Sequence, residues 1–558
     1  MKKELLIIVF LITGLFLKTF AEGTKQTTPA SPGTQPPNIQ LQINRSSTGG
    51  FASTFAGWTA TSIYDHLYFH IKDYTTEKVY IGFRKQTSSQ TVYYRIKRPD
   101  GTVVSGPTAL PSSGAGYIST WAQAVAGPGG TGGLTGISGG YSPLVFDPNL
   151  NANSRYNGDF YIEFNATNTT PNTTEIFLMY YDITIANGPD ASNIQNGRLW
   201  AYNWGFNSNS FTYPTGSMLA SLFVYTSDSI VTEIDLNGLS PYYFRIYSNH
   251  QGVTNTGNFT NDRKSKYYGE TTAPDTYPEY KLFLNDPDPT VFPSGNNVNR
   301  TATFNSFSGC PGNYCINVTV NGSCLLELRL DINKDGDYLD AIDRIIEYNA
   351  TLGSNCVPWD GKDGLGATVA IGATIIMELY SKVGTCHFPE YDAEEHRYGY
   401  LAAPIRPSGI GSLTLYWDDS AVPALGTTQL LGAAPGTPDH TNNISSMTTG
   451  LHTWLDPNGN ATTVNTWFTI RKQVISNYTI TVLNYVDFGT VNNADETICY
   501  NGDPSNITLS SPPTGGSSAF IYQWYYQPGL VTCPAGTSNS GWTLITGANG
   551  SSYDPPSG

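Results

Sequence analysis

Short runs in which apolar and polar residues alternate recur along most of the chain, and they predict β-strands. In KVYIGFRK, residues 78–85, the side chains of Val79, Ile81 and Phe83 fall on one face of an extended backbone. Similar runs, such as DFYIEFN and YYFRIYSN, are separated by turn residues, as at Pro99-Asp100-Gly101. Helical periodicity is nearly absent. The pattern therefore predicts an all-β protein built from tandem antiparallel β-sandwich domains.

Composition changes and turn-rich breaks indicate the domain boundaries. We expect a signal peptide at 1–21, a flexible Pro/Thr-rich leader at 22–38, β-sandwiches at 39–190 and 191–298, a domain with an acidic loop at 299–385, a β-rich domain at 386–490 and an incomplete repeat at 491–558. The pattern leaves open whether 39–298 forms one domain or two. The glycine-rich stretch 126–143 is too long for a hairpin turn and predicts an exposed loop.

The N-terminus has the pattern of a cleavable export signal. Lys2 and Lys3 precede a mainly apolar run from Leu5 to Leu17, and Thr19 and Ala21 occupy positions −3 and −1 of a cut after Ala21. The run is too short for a stable membrane span, and no later segment reaches about 18 apolar residues. We therefore expect a secreted or outer-membrane-attached protein that does not itself span a membrane, although an uncleaved N-terminal anchor is the alternative.

Charge and cysteine usage narrow the class of protein further. The chain has 29 Lys and Arg against 44 Asp and Glu, for a net charge of −15, and no basic cluster offsets this acidity. Nucleic acid is therefore not an expected partner. All seven cysteines lie beyond residue 300, and export permits disulfides. Cys499 and Cys533 lie apart from the others and are our first candidate pair, whereas the odd total leaves at least one cysteine outside any pairing within the chain.

An acidic stretch, DINKDGDYLDAIDR at 331–344, predicts a calcium-binding loop. Calcium loops present oxygen ligands at alternate positions and turn sharply at a glycine, here Gly336. The predicted ligands are Asp331, Asn333, Asp335, Asp337 through its backbone carbonyl, Asp340 and Asp343. Position 12 is Ile342 instead of glutamate, and the preceding LLELRL predicts a strand, so the loop departs from an EF-hand. A solvated acidic turn is the alternative, and without a histidine the metal is expected to be structural.

Other candidate sites are weaker. His387 and His396, within HFPEYDAEEH, are nine residues apart, and Pro389 opposes the helix that a zincin needs. A metal site formed by both histidines with a carboxylate is one interpretation, and a polar connector between sandwiches is the alternative. Asp418 and Asp419 are adjacent, so on a strand they point to opposite faces. No GxSxG motif occurs. We therefore expect no catalytic site.

Aromatic residues alternate in RLWAYNWGFN at Trp200, Tyr202, Trp204 and Phe206. On a single strand all four would share one face. Such a row either stacks on sugar rings or forms half of a sandwich core, and we favour the core.

Two stretches resemble a known group of proteins. WDGKDGLGATVAIGATI, residues 359–375, resembles the FlgD-type immunoglobulin-like fold of exported bacterial proteins. Together with the acidic loop, with LYWDDS, and with the YQWYYQPG tail, it is similar to large surface proteins of Bacteroidetes that carry tandem Ig-like or PKD-like modules. The resemblance implies stacked sandwiches, a core role for Trp524, and a link to adhesion, gliding and type IX secretion. The C-terminal sorting domain of that group does not occur in this sequence.

The sequence thus predicts a secreted, non-enzymatic cell-surface adhesin or structural stalk, with calcium as a structural ion and surface glycans or other cell-surface proteins as partners. Weak sites repeated along a stalk would gain avidity from effective concentration. The alternative is a carbohydrate-binding module array of a secreted polysaccharide-active protein.

Overall fold

The structure is a computed structural model that describes residues 21–29, 39–45, 52–208, 217–268, 277–295, 298–408, 413–423, 452–454, 462–482, 489–492, 496–513, 520–529 and 539–557. These residues are nearly all in strands and loops, and the sheets are antiparallel, which confirms the predicted fold class. The chain divides into two compact units. Unit 1 comprises 1–299 and 382–472, and unit 2 comprises 300–381 and 473–558.

The elements of the described residues, in chain order, are as follows. The helices are α1 (Thr24–Thr27), α2 (Trp121–Ala126) and α3 (Phe259–Asp262), with 3-10 helices at Ile63–Asp65, Ala152–Ser154 and Ala191–Asn193. The first strands are β1 (Gln40–Ile43), β2 (Leu67–Ile71), β3 (Lys78–Lys85), β4 (Tyr93–Lys97), β5 (Val103–Ala109), β6 (Leu144–Phe146), β7 (Gly158–Asn165), β8 (Ile176–Ala186), β9 (Leu199–Ala201), β10 (Asn203–Asn207), β11 (Ser221–Tyr225), β12 (Val231–Asp235), β13 (Ser240–Tyr247), β14 (Lys266–Tyr267) and β15 (Lys281–Phe283). They are followed by β16 (Ala302–Cys310), β17 (Asn313–Val320), β18 (Cys324–Asp331), β19 (Arg344–Ala350), β20 (Gly353–Trp359), β21 (Thr374–Glu395), β22 (Leu401–Arg406), β23 (Thr462–Thr481), β24 (Thr490–Val491), β25 (Ile507–Ser511), β26 (Tyr525–Tyr526), β27 (Thr543–Leu544) and β28 (Ser552–Tyr553).

Unit 1 is built from two sheets. Sheet 1 has the strand order β14-β23-β21-β13-β10-β1-β8-β3-β6, and sheet 2 has the order β22-β12-β11-β15-β9-β2-β7-β4-β5. Strands from 39–190 and from 191–298 lie in both sheets, because β1 pairs with β10 and β2 pairs with β9. The two ranges therefore share both sheets. Strands β21 and β22 extend the same sheets at β13 and β12.

The core of unit 1 lies between the inner faces of the two sheets. Leu67 and Phe69 of sheet 2 and Ile81 of sheet 1 belong to one buried cluster, and each is at most 1% exposed. Rings from opposite sheets meet in this layer, as Phe83 meets Phe164 edge-on with 5.3 Å between centroids. The predicted common face of Val79, Ile81 and Phe83 is confirmed.

The expectation that the RLWAYNWGFN aromatics share one face is wrong. The run contains two strands, since β9 ends at Ala201 and β10 begins at Asn203. β9 belongs to sheet 2 and β10 to sheet 1, so the chain changes sheets at Tyr202. Trp204 and Phe206 lie in the shared core, as favoured, whereas Trp200 belongs to a separate aromatic cluster.

The leader and the glycine-rich loop are more deeply placed than the sequence indicated. Residues 22–28 were expected to be flexible, yet they include α1, and Glu22, Thr24 and Thr27 are buried; residues 30–38 lie outside the described part. The loop at 126–143 covers the outer face of sheet 1. Its Tyr141 is buried, and a Cβ at Gly82 of β3 would lie 2.3 Å from the Tyr141 ring. Hydrogen bonds and ring packing offset the cost of ordering these segments.

Unit 2 contains smaller sheets. Strands β16, β17 and β20 form one of them, and a disulfide between Cys315 and Cys356 joins β17 to β20. Trp359 is 2% exposed and packs against the ring of Tyr314, as expected of a core residue. In the last segment Trp524 is only half-buried, stacks on Tyr553 and donates its indole N–H to the Gly550 carbonyl.

Replacement of Trp204 tests the shared core. This side chain is fully buried, stacks on Phe206 and donates its indole N–H to the Leu282 carbonyl at 3.0 Å. We expect Trp204→Ala to lower the free energy of unfolding by about 3–5 kcal/mol, because it leaves a cavity. Leu150→Ala is the control, since Leu150 is 82% exposed and its truncation should change stability by less than about 0.5 kcal/mol. Denaturant unfolding measures both, and equal stability of the two variants would contradict the assignment.

Candidate functional site

The predicted calcium loop lies in unit 2, at the tip of an antiparallel hairpin. β18 ends at Asp331, β19 begins at Arg344, and Leu330 pairs with Arg344 at its base. Lys334 and Gly336 turn the chain with positive φ angles of 61° and 88°, a conformation that glycine adopts without steric cost. The flanking strands confirm that the loop is not part of a helix–loop–helix EF-hand.

The exposed part of the loop is shaped by hydrogen bonds from its backbone to its own side chains. In each case the donor is the N–H two residues further along: Asp335 N to Asn333 Oδ1 (3.2 Å), Asp337 N to Asp335 Oδ1 (2.8 Å), Leu339 N to Asp337 Oδ1 (3.0 Å) and Ile342 N to Asp340 Oδ1 (3.0 Å). These are Asx turns, which stabilise tight turns without a metal. The alternative interpretation of the loop, a solvated acidic turn, therefore describes part of what the structure contains.

The two aspartates at the base of the loop differ from the others because they are buried. Asp331 is fully buried and accepts hydrogen bonds from the backbone N–H groups of Lys334 and Gly336. Asp343 is 6% exposed; its Oδ1 accepts the Ile332 N–H at 2.8 Å, whereas its Oδ2 has no hydrogen-bond partner among the described residues. A buried carboxylate oxygen without a partner is costly, so this position differs from an ordinary turn.

Electrostatic repulsion adds to the cost at Asp343. Burial, followed by the neighbouring carboxylates of Asp340, Asp331 and Asp335, raises the pKa of Asp343 to about 7, although the Ile332 N–H lowers it. Like charges held close together disfavour ionisation in this way. A cation at this place would remove both penalties at once.

The donor set fits a hard cation, but the side chains would have to rotate to bind it. The Asn333 amide group lies between two carboxylates and donates to Asp335 Oδ2 at 2.8 Å and to Asp340 Oδ2 at 3.1 Å. Within the described residues, no three His, Cys, Asp or Glu side chains are already arranged to hold a metal ion. Carboxylate and amide oxygens are the ligands that Ca²⁺ prefers, so the residues present are chemically suited to it.

The two histidines considered as metal ligands lie in separate surroundings. His387 stacks on Trp467 with 5.1 Å between ring centroids, whereas His396 meets the ring of Trp454 edge-on at 5.2 Å. Both histidines are fully buried. Burial lowers the pKa of each, and that of His396 falls to about 3. They are therefore neutral at pH 7 and pack among aromatic rings.

A hydrogen-bonded chain of Asp419, His452 and Thr466 was missed by the sequence analysis. Asp419 Oδ2 lies 2.8 Å from His452 Nε2, and His452 Nδ1 lies 2.7 Å from Thr466 Oγ1. The order of groups is that of an acid, a base and a nucleophile. His452 and Thr466 are fully buried, and His452 stacks on Trp417, so this hydroxyl is not exposed to solvent. The residues are distant in sequence and no motif joins them, which explains why they were not found.

Aromatic side chains form a row across the outer face of sheet 2. Successive cross-strand partners are Tyr161 of β7, Tyr68 of β2, Trp200 of β9, Phe283 of β15 and Phe223 of β11. The Tyr68 and Trp200 rings stack with 4.3 Å between centroids, and Lys281 Nζ lies 4.1 Å from the Trp200 centroid. Most of the row is buried, whereas Tyr202 at its margin is half-buried. The row stabilises the sheet, and only its margin is open to a ligand.

The predicted disulfide stays a prediction. Cys499 is exposed, and Cys533 lies outside the described residues.

Among the described residues, no helix is both long enough and apolar enough to cross a membrane. No protein-family model, curated protein or solved structure matches this chain.

Substitution of Asp343 tests its electrostatic cost. Because its pKa is about 7 in the fold and near 3.8 in an unfolded chain, the folded state binds the proton more tightly between these values. Without metal, the free energy of unfolding should therefore fall as pH rises from about 4 to about 7. In Asp343→Asn this fall should be smaller, which thermal unfolding in chelator-treated buffer measures.

Asp337→Asn is the matched control for this measurement. Asp337 is exposed, and an asparagine can still accept the Leu339 N–H through its side-chain oxygen. The control should keep the pH dependence of the unsubstituted protein. Identical pH profiles for Asp343→Asn and the unsubstituted protein would contradict the assignment.

Proposed function

We propose that this chain is an exported, non-enzymatic protein of the cell surface that acts as an adhesin or a structural stalk. Three observations support the proposal: the N-terminal signal pattern, the antiparallel sandwich architecture, and the resemblance to Bacteroidetes surface proteins associated with gliding, adhesion and type IX secretion. The observation that carries it is the acidic loop, in which one buried oxygen of Asp343 has no hydrogen-bond partner among the described residues while other carboxylates surround it. A cation bound there would have a structural role.

Calcium would act on the rigidity of the β18–β19 hairpin. Asp331, Asp335, Asp340 and Asp343, with the Asn333 amide oxygen and the Asp337 carbonyl, would supply its ligands. Neutralising their mutual repulsion would favour the closed loop, because Asp331 ends β18 and Asp343 directly precedes β19. A stalk built from stiffened units holds its binding surfaces apart from the cell, and repeated weak contacts with surface glycans or proteins then gain strength through avidity.

A second candidate function is carbohydrate binding, as a module of a secreted polysaccharide-active protein. The aromatic row on sheet 2 favours it, since half-buried Tyr202 and exposed Tyr64 lie together at its margin with 5.0 Å between ring centroids. Aromatic faces beside charged groups such as Asp159 and Lys281 are suited to sugars. Trp204, by contrast, lies in the core and cannot serve as a test of glycan binding.

Calcium binding should raise the melting temperature of the purified mature protein. A ligand present at 100 times its Kd stabilises the folded state by about 2.7 kcal/mol, which corresponds to a shift of several degrees. Asp343→Asn should abolish the shift, and Asp337→Asn should keep it, because position 337 would bind through its backbone. Thermal unfolding with calcium and with chelator measures the effect. Absence of both heat in titration calorimetry and stabilisation would refute calcium binding.

Display at high density should separate the two candidate functions. Beads carrying many copies of the mature protein should bind cells about 10²- to 10⁴-fold more strongly than single copies. If glycans are the ligand, soluble polysaccharide should compete, and Tyr202→Ala should weaken binding while Tyr500→Ala, at a 95% exposed position, should not. Failure of dense beads to bind any cell surface would refute the adhesin, and turnover of a polysaccharide would refute the non-enzymatic assignment.

A further inference from the structure

The segment that follows the predicted cleavage point is part of the fold of unit 1. β1 pairs with β8 only along Ile176 to Leu178. Beyond that point, residues 22–24 lie beside β8: Gly23 bridges to Asp182, and the Ile183 N–H donates to the Glu22 carbonyl at 3.0 Å. A Cβ at Gly23 would lie 2.3 Å from the Tyr181 carbonyl oxygen. The close approach therefore requires glycine here and places the segment firmly against the strand.

The side chains around Glu22 hold its backbone in one position. The Glu22 carboxylate accepts hydrogen bonds from the backbone N–H groups of Gly197 (3.0 Å) and Arg198 (3.3 Å) and from the Asn285 amide (3.2 Å). Gln26 Oε1 accepts the Gly23 N–H at 2.7 Å. The position of the Glu22 nitrogen is thus set by several contacts that do not involve Asp182.

That nitrogen faces a buried carboxylate. Glu22 N lies 3.0 Å from Asp182 Oδ1 and 3.2 Å from Thr184 Oγ1. Asp182 is fully buried, and it also accepts hydrogen bonds from the Tyr141 and Thr184 hydroxyls. Burial raises the pKa of Asp182 to about 7, even though these donors and the charge of Lys25 lower it. In a chain that continues through Ala21, the Glu22 nitrogen is an uncharged amide whose single N–H is shared between Asp182 Oδ1 and Thr184 Oγ1.

We propose that cleavage after Ala21 turns the Glu22 nitrogen into an α-ammonium group that forms a buried ion pair with Asp182. Hydrolysis adds water across the Ala21–Glu22 peptide bond, supplied by the peptidase that removes the signal peptide. The new carboxylate leaves with residues 1–21, and the amine remains on Glu22 and takes up a proton. The cleavage step rests on the proposed export, whereas the ion pair itself does not.

The ion pair replaces a weak contact by a strong one. An ammonium group carries a full positive charge and three N–H donors, and two acceptors, Asp182 Oδ1 and Thr184 Oγ1, already lie within hydrogen-bond distance. Charge-assisted hydrogen bonds are roughly twice as strong as neutral ones, and the ammonium group would add to the attraction that the charge of Lys25 already exerts on Asp182. The Gln26 amide loses the Ala21 carbonyl as an acceptor on cleavage but keeps Asn285 Oδ1 at 3.2 Å. Processing at this one bond therefore makes the mature unit more stable.

The test compares two forms of the mature chain that differ by one residue. One begins at Glu22, released from a fusion partner by a protease that leaves no extra residue, and the other begins at Ala21. We expect the Glu22 form to melt at least about 5 °C higher, because only its amine reaches Asp182. Asp182→Asn should remove this difference between the two forms. Asp100→Asn, at an exposed turn, is the control with the same loss of charge and should retain it.

A second measurement does not depend on how well the variants fold. In the folded Glu22 form, limited treatment with an amine-acylating reagent at pH 7 should label the α-amine at least tenfold more slowly than in the denatured chain, as read by mass spectrometry. Equal melting temperatures for the two forms, or equal labelling in folded and denatured chains, would overturn the ion pair.

The cleavage is tested separately by sequencing the N-terminus of the full chain recovered from a secreting host. A first residue of Glu22 supports the assigned cut. A different first residue overturns the assigned cut alone, and retention of the whole chain inside the host contradicts the proposed export. The melting comparison decides separately whether the Asp182 site accepts an amine.

Discussion

The burial of one apolar layer between two antiparallel sheets is the constraint on which unit 1 depends. Every strand of the layer must direct alternate side chains inward, as Leu67 and Phe69 do from sheet 2 and Ile81 and Phe83 do from sheet 1. Because successive side chains of a strand point to opposite faces, the residues that alternate with the inward ones point to the outer faces of the sheets. The outer faces are also partly covered, by Tyr141 over sheet 1 and by the aromatic row on sheet 2.

Because both faces of each sheet are partly covered, several charged side chains are buried, and many of them form ion pairs. Arg198 is fully buried and donates to Asp288 at 2.7 Å, with Glu77 at 3.4 Å, while Glu163 pairs with Arg95. Removing one member of such a pair leaves an uncompensated charge in a medium of low polarity. The pairs therefore specify how the loops and strands that carry them fit together.

Burial raises the pKa of several other carboxyl groups, among them Asp182 in unit 1 and Asp343 in unit 2, each to about 7. The two carboxylates are in different surroundings, yet both indicate a place where positive charge would stabilise the fold. For Asp343 the surrounding oxygens favour a metal ion. For Asp182 the nearest nitrogen belongs to the residue that follows the predicted cleavage point. Under the proposed export, the chain would encounter both removal of its signal peptide and extracellular calcium, and each would make the mature form more stable.

The sequence by itself determined the fold class, the inward faces of single strands and the residues of the acidic loop, because these depend on a period of two and on turn chemistry between near neighbours. Only the tertiary structure decided that Trp200 and Trp204 lie on different sheets and that Asp419, His452 and Thr466 meet. It also decided that one oxygen of Asp343 is buried without a partner among the described residues. These outcomes depend on which strands become neighbours, and sheets 1 and 2 pair residues that are far apart along the chain, such as Leu41 with Phe206. Whether a side chain is buried depends on this strand pairing, and so does the free-energy cost of burying a charged group. A short stretch of sequence therefore does not reveal either.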